Sequence, residues 1–303
     1  MGKAKPILYS IFYILLYYIV QIVVGVAMSF SDTGVVDSFQ GVFYAAQSGG
    51  GQEAIAEAAM HSAEQVAAFL TRNIGQVLGV ASLVSLIIFT LIYRARKKHF
   101  FSATKIDSRP KARDVWCGLA LGPGLLMVSS FIIFALSSIA AYQAGIENYN
   151  QMVSPITEGN LLASLLGVGI IVPVVEEAMF RGMVLGELGK AFPVGAAITI
   201  QGVLFGLYHI NPVQMSFAIP LGIFLGYCVH KTQSLWVSIA THAAMNSVSL
   251  LMVTPELSGY FQSNAGAAVF LFVSLALFAA AVVYFIRRER APEHEEKKDE
   301  KAK

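Results

Sequence analysis

The stretch LLASLLGVGIIVPVVEEAMFRGMVL, residues 161–185, determines how this chain folds. It is apolar for almost its whole length, and about 20 such residues form a helix long enough to cross the hydrocarbon core of a bilayer. Glu176, Glu177 and Arg181 interrupt it. An ionisable side chain in a membrane costs roughly 2.5–3.5 kcal/mol on insertion scales, so chains keep one mainly where a partner or a function holds it.

The composition extends this interpretation to the whole chain. Hydrophobic residues make up 56% of it and charged residues 13%, whereas a soluble domain carries about 25% charged residues. The sequence therefore predicts an all-α protein, a polytopic transmembrane helical bundle of about eight spans. The predicted spans are approximately Ile7–Met28, Ile74–Tyr93, Trp116–Ala140, Leu161–Leu185, Val194–Ile210, Val213–Val229, Leu235–Val253 and Gly266–Ile286.

Basic residues predict the orientation, because positively charged loops stay on the cytoplasmic side. With eight spans, every strongly basic loop falls on one side, and only Arg72 lies in a loop on the other. We expect a multi-pass protein of the cell membrane with both termini in the cytoplasm. The bilayer is then its first partner, and no basic face interleaved with aromatic residues indicates nucleic-acid binding. The basic residues are Lys3, Lys5, Arg94, Arg96, Lys97, Lys98, Lys105, Arg109, Lys111, Arg113, Lys190, Lys231, Arg287, Arg288 and Arg290.

The same pattern divides the chain into segments. The first span exceeds the 7–15 apolar residues of a signal-peptide core, which favours an uncleaved anchor. Between the first two spans, apolar residues from Ile55 to Leu70 share one helical face, which predicts an amphipathic helix. The predicted segments are an N-terminal transmembrane anchor (1–30), an extracytoplasmic loop with that helix (31–73), spans two and three (74–160), a catalytic core (161–254), the last span (255–290) and a charged cytoplasmic tail (291–303).

Three polar patterns lie in otherwise apolar spans of the predicted core. Glu177 and Arg181 are four residues apart and share a helical face, so they can form an ion pair, whereas Glu176 projects about 100° away. The other two patterns are Phe205 with His209, and His242 with Asn246, each again at i and i+4.

Two schemes of peptide hydrolysis fit these residues, and both stay open. In the first, Glu176 acts as general base on a water, His242 and Asn246 donate to the oxyanion, and His209 positions the water or protonates the leaving amine. In the second, Glu176, His209 and His242 bind a catalytic zinc ion, which needs three ligands and an open position for water. Glu177 would then be a base or support a ligand.

Either scheme requires these residues to lie at similar depths in the membrane. Counted from the predicted turn near Lys190 at about 1.5 Å per residue, Glu176 lies roughly 20 Å deep and His209 roughly 25–30 Å deep. His242 lies only about 10–15 Å deep by the same count. The residues therefore meet only if helices are tilted or broken.

In these motifs the sequence resembles the CAAX protease and bacteriocin-processing (CPBP) intramembrane proteases, which include CAAX prenyl endopeptidases and bacterial Abi-type proteins. The family pattern is Glu-Glu-x-x-x-Arg, Phe-x-x-x-His and a later His-x-x-x-Asn, and this chain matches it from about Leu161 to Leu250. The resemblance implies a membrane-embedded endopeptidase in which Glu176 activates water. It implies a membrane protein or peptide as substrate, prenylated or not. The family is often labelled metalloprotease, although a metal-free glutamate mechanism has also been argued.

Two non-proteolytic functions remain as alternatives. One is a membrane scaffold or immunity protein that retains the motif residues without catalysis. The other is a transporter with a proton relay, since intramembrane Glu and His residues also build relays. Against the transporter, the sequence has no internal repeat of the kind many transporters contain.

Overall fold

The computed structural model describes residues 3–158 and 160–291, so most of the predicted tail lies outside the described residues. Within those ranges the chain forms thirteen helices and no strand, which confirms the all-α prediction. The helices are α1 Ala4–Ser29, α2 Thr33–Gln47, α3 Gln52–Arg72, α4 Ile74–Ala95, α5 Phe100–Ala103, α6 Ala112–Ser137, α7 Gln143–Glu158, α8 Leu161–Leu188, α9 Val194–Tyr208, α10 Pro212–Thr232, α11 Trp236–Met252, α12 Pro255–Gln262 and α13 Asn264–Arg287.

Six of the described helices are long and apolar enough to cross a membrane, namely α1, α4, α6, α8, α10 and α13. A seventh span results if α11 and α12, which meet at a 90° bend, are counted as one. The shorter apolar helix α9 matches the remaining predicted span. The chain is a multi-pass membrane protein, and the expected number of about eight spans is roughly consistent with this architecture.

Helix α8 lies at the centre of the bundle and packs against α1, α4, α9 and α11. Two stretches of it, Leu165–Ile171 and Ala178–Val184, have π-helical hydrogen bonding. Wider turns of this kind occur mostly as short bulges and frequently at functional sites. Glu176 and Glu177 lie between the two stretches. The wider helical turns on either side therefore change the directions in which the two carboxylates project from α8.

Close helix approach surrounds this centre. At Gly167 in α8, a Cβ atom would collide with the backbone carbonyl of Gly75 in α4. At Gly122 in α6, a Cβ atom would lie 2.7 Å from the backbone nitrogen of Met245 in α11. Small residues at such contacts let membrane helices approach closely. The backbone packing thereby fixes α11 beside α6 and α8 beside α4.

Ion pairs join the helix ends that carry the basic residues. Glu187 at the end of α8 bonds with Arg96 after α4 at 2.9 Å and also pairs with Lys190. Asp114 at the start of α6 accepts hydrogen bonds from Arg288, after α13, at 2.6 and 2.7 Å. These contacts place the basic segments together at one end of the bundle, which we call the basic end.

Away from the basic end, α2 and α3 pack against each other. Arg72 at the end of α3 pairs with Asp32, the residue before α2, at 3.1 Å. Helix α3 contains the stretch expected to be amphipathic, and Phe69 on it is buried. Its position outside the cytoplasm stays a prediction, as do the segment boundaries given above.

Candidate active site

The acidic pair of α8 is buried in the bundle. Glu177 is fully buried, and Glu176 is 5% exposed. The Arg181 Nη1 atom donates to Glu177 Oε1 at 2.8 Å, as the i and i+4 spacing predicts. The guanidinium group also stacks on the Phe205 ring, with its carbon 4.1 Å from the ring centroid. Arg181 therefore neutralises Glu177, and Glu176 is left without a guanidinium of its own.

His242 of α11 lies between the two carboxyl groups. Its Nδ1 atom is 2.9 Å from Glu177 Oε1, and its Nε2 atom is 3.9 Å from Glu176 Oε2. The simple depth count separated His242 from the glutamates by several ångströms, yet the structure brings them together. Wider π-helical turns in α8 and the close packing of α11 make such a count unreliable.

The hydrogen bonds determine which imidazole nitrogens carry a proton. An ionised Glu177 only accepts hydrogen bonds, so His242 Nδ1 must donate to it. In a neutral imidazole the other nitrogen, Nε2, is then an acceptor that faces Glu176. His242 can donate from Nε2 to a developing oxyanion only after it has taken up a second proton.

His209 follows the same rule at the end of α9. Its Nδ1 atom lies 2.8 Å from the carbonyl oxygen of Phe205 and must donate to it. The Phe205 ring contacts both imidazoles, with centroid separations of 4.9 Å to His209 and 5.9 Å to His242. Phe205 therefore forms the wall that connects the second and third motifs.

A strained turn holds His209 in place. The next residue, Ile210, has a φ of 60°, a left-handed conformation that β-branched residues adopt at a cost. Asn211 then caps α10 from the position before it, where its side chain accepts hydrogen bonds from the backbone of Val213 and Gln214 at 2.9 and 3.1 Å. Because this cap fixes the start of α10, the chain changes direction at Ile210, which adopts the left-handed conformation.

Asn246 occupies a different position from the carboxylates. Its Nδ2 atom donates to the carbonyl oxygen of Val168 at 3.0 Å, in the first π-helical stretch of α8. This bond connects α11 to α8 one turn away from His242. The second hydrogen of the same amide group remains available for a substrate oxygen.

Sequence reasoning missed the contribution of α1 and of Tyr208. The Tyr208 hydroxyl accepts a hydrogen bond from Gln21 Nε2 at 3.1 Å, and the Tyr208 ring lies 5.2 Å from the His209 ring. The rings of Tyr17 and Tyr18 lie 5.9 and 4.7 Å from the Tyr208 ring. The segment predicted as an anchor therefore packs against the site. A polar Gln21 inside an apolar span was the signal that could have indicated this.

Glu176, His209 and His242, which the zinc scheme needs as three ligands of one ion, do not come together as one group. In the two described ranges, no three side chains of His, Cys, Asp or Glu come close enough together to hold a metal ion. The tautomers do suit metal binding, because each imidazole donates from Nδ1 and leaves Nε2 as the acceptor. The arrangement as a whole does not fit a three-ligand site, so the mechanism below is derived from the side chains alone.

Comparisons with known proteins agree with the motifs. Residues 158–248 match the family model described as type II CAAX prenyl endopeptidase Rce1-like. A Bacillus subtilis (strain 168) protein named "Putative membrane peptidase YdiL" is 25% identical over 95 residues, which covers 31% of this chain. The match spans only 39% of the length of that protein. No solved structure shows a significant match.

Proposed function

We propose that this chain, whose residues 158–248 match the type II CAAX prenyl endopeptidase Rce1-like model, is an intramembrane endopeptidase of the CPBP family. The enzyme hydrolyses a peptide bond of a membrane-associated protein or peptide. Both the family description and the name of the bacterial relative refer to peptidases.

One observation supports this proposal most strongly. His242 lies within 3.9 Å of both members of the acidic pair, although 65 residues separate it from Glu177. Burying two carboxyl groups, an imidazole and a guanidinium costs free energy that simple packing does not require. Catalytic sites typically bring several acidic and basic side chains together in one buried place, where burial and neighbouring charges change how readily they bind protons.

In the proposed mechanism Glu176 is the general base. It takes a proton from a water molecule, and the water oxygen attacks the carbonyl carbon of the scissile bond. The negative charge moves to the carbonyl oxygen, where the second amide hydrogen of Asn246 donates a hydrogen bond. Glu176 passes the proton it took from water to Nε2 of His242, which then also donates to this oxygen, while His209 positions the attacking water. As the carbon–nitrogen bond breaks, the same proton returns through Glu176 to the leaving amine.

Glu177 and Arg181 are positioning residues in this mechanism. Glu177 holds His242 with Nδ1 protonated, so that Nε2 faces Glu176 and can accept a proton. Arg181 supplies the positive charge that pairs with Glu177. Both imidazolium formation and proton return depend on this fixed orientation, as in other carboxylate–histidine pairs.

The substrate class follows from the membrane location. A buried site of this kind is reached by a peptide segment at or in the bilayer. The family description is that of a CAAX prenyl endopeptidase. Both prenylated and unmodified membrane-associated substrates are therefore candidates, and the cleavage experiment below distinguishes them.

The proposed orientation places the basic end in the cytoplasm of a cell membrane. The basic loops after α4, α8, α10 and α13 contact one another at that end. Such clustering supports the positive-inside argument. The termini would then both be cytoplasmic, which a reporter fused to each end measures directly.

The experiment compares wild type with Glu176→Gln, an isosteric change that removes the base. Each purified protein is incubated with solubilised membrane proteins, and new peptide termini are identified by mass spectrometry. Termini that arise only with wild type support the proposal and give the cleavage sequence. Identical termini from two folded proteins would favour the scaffold alternative, in which the motif residues have no catalytic role.

A further inference from the structure

Helix α7 is a surface element that contacts the start of α10. It is shorter and more polar than the spanning helices, and its residues up to 156 are exposed or half-buried. The Tyr149 ring meets the Phe217 ring edge-on, with the centroids 6.2 Å apart. A Cβ atom on Gly145 would lie 3.4 Å from the Val213 side chain. One face of α7 is therefore packed against the first turns of α10.

Asn211 joins this face of α7 to the turn between α9 and α10. Its side chain is buried, and its Oδ1 atom caps α10. Its Nδ2 atom donates to Asn148 Oδ1 at 3.0 Å and to the carbonyl oxygen of Gly145 at 3.4 Å, both on α7. The two ends of one amide group thus bind two different helices, so a rotation of this side chain would break the bonds to both. Asn148 supplies the side-chain acceptor on α7 that fixes the Asn211 amide.

The backbone of Asn211 is bonded to His209. The Asn211 nitrogen donates to the His209 carbonyl oxygen at 2.6 Å, across Ile210 with its φ of 60°. His209 ends α9, and the last turn of a helix lacks part of the hydrogen bonding that holds its interior. The imidazole leaves Nε2 as the acceptor only while Nδ1 stays bonded to the Phe205 carbonyl. The direction of the imidazole therefore depends on the turn, and the turn depends on Asn211.

We infer that Asn148 is a positioning residue for the imidazole of His209. This role rests on the proposed function, in which His209 positions the attacking water. Asn148 acts by holding Asn211, whose bonds join the end of α9 to the start of α10. A residue on a surface helix thereby contributes to the active site, although it lies outside residues 158–248, which match the family model.

Kinetics of two substitutions at this position test the role. Asn148→Leu removes the acceptor, whereas Asn148→Asp keeps one, because a carboxylate oxygen takes the place of the amide oxygen. We expect Asn148→Leu to lower kcat about fivefold with KM unchanged, the factor that one hydrogen bond of ordinary net strength supplies. Asn148→Asp should keep the wild-type kcat. Asn150→Leu is the matched control, because Asn150 is also exposed and projects about 200° away on α7.

A double-mutant cycle with His209→Gln tests whether Asn148 acts through this imidazole. Asn148→Leu should lower kcat in the wild-type background and leave it unchanged in the His209→Gln background. Two effects that simply multiply would overturn the inference. A failure of Asn148→Asp to keep kcat, or an equal loss in Asn150→Leu, would also overturn it.

Nitrogen-15 NMR of the six histidine residues gives a readout that does not require cleavage. The His209 signal is identified by its disappearance in His209→Gln. The Nδ1–H signal of His209 should shift in Asn148→Leu and match wild type in Asn148→Asp and Asn150→Leu. An unshifted signal in folded Asn148→Leu overturns the inference, whatever reaction the protein performs. A shifted signal in a protein whose wild type cleaves nothing supports the positioning of His209 by Asn148 and refutes the proposed function instead.

Discussion

Arg181→Met removes the buried cation that faces Glu177. In the native structure the side chains of both residues are 0% exposed, and the bond between them is 2.8 Å long. The substitution leaves a buried carboxylate that still accepts a hydrogen bond from the imidazole of His242. Removing one member of a buried ion pair destabilises a protein by about 3–5 kcal/mol, because the other charge stays buried without compensation.

For a chain of this length, that loss corresponds to a decrease in Tm of about 5–8 °C. Glu177→Gln with Arg181→Met removes both charges, while the amide oxygen of the glutamine still accepts the hydrogen bond from His242. We therefore expect the double variant to recover most of the lost stability. The difference between the single and double variants is the cost of the unpaired charge rather than of lost packing.

Thermal unfolding in detergent, followed by circular dichroism, measures both changes. Arg72→Met is the matched control, because the Arg72–Asp32 pair has side chains that are 60% and 30% exposed. An exposed pair contributes about 0–1 kcal/mol, so this variant should shift the Tm by less than about 2 °C. The reasoning is refuted if Arg181→Met and the double variant lose the same stability, or if Arg72→Met loses as much.

Three further outcomes are expected. Ile210→Asn should raise the Tm by about 1–2 °C, since Asn tolerates the left-handed turn at lower cost, and a decrease in unfolding temperature would contradict strain at this turn. Tyr208→Phe should lower kcat about tenfold, because it removes the hydroxyl that accepts from Gln21 beside the catalytic residues, and an unchanged kcat would remove Tyr208 from the site. Prolonged chelation should leave cleavage intact under the mechanism proposed here, whereas loss of cleavage that zinc alone restores would favour the metal scheme.

The parts that sequence could predict are those set by local periodicity. Apolar length predicts the spanning helices, and the i and i+4 spacing predicts the bond between Glu177 and Arg181. Both depend on residues within one helix. For the same reason Phe205 and His209 were expected to share a face, and their rings are in contact.

The parts that sequence could not predict depend on how helices approach one another. Nothing in the spacing indicates that His242 bonds with Glu177 and lies farther from Glu176. The π-helical stretch Ala178–Val184 lies between Glu176 and the turn near Lys190, so a count at constant rise misplaces Glu176 relative to His242. The contact between Gln21 and Tyr208 joins residues 187 positions apart, which no local pattern reveals.

The most direct measurement is cleavage of a synthetic peptide, chosen from the identified termini, in water enriched with ¹⁸O. Wild type should place one ¹⁸O atom in the new carboxyl terminus, because the attacking oxygen comes from water. Glu176→Gln should give no product, although its Tm and helical content match those of wild type. Cleavage that continues in folded Glu176→Gln, or a product without ¹⁸O, would contradict hydrolysis by water that Glu176 activates.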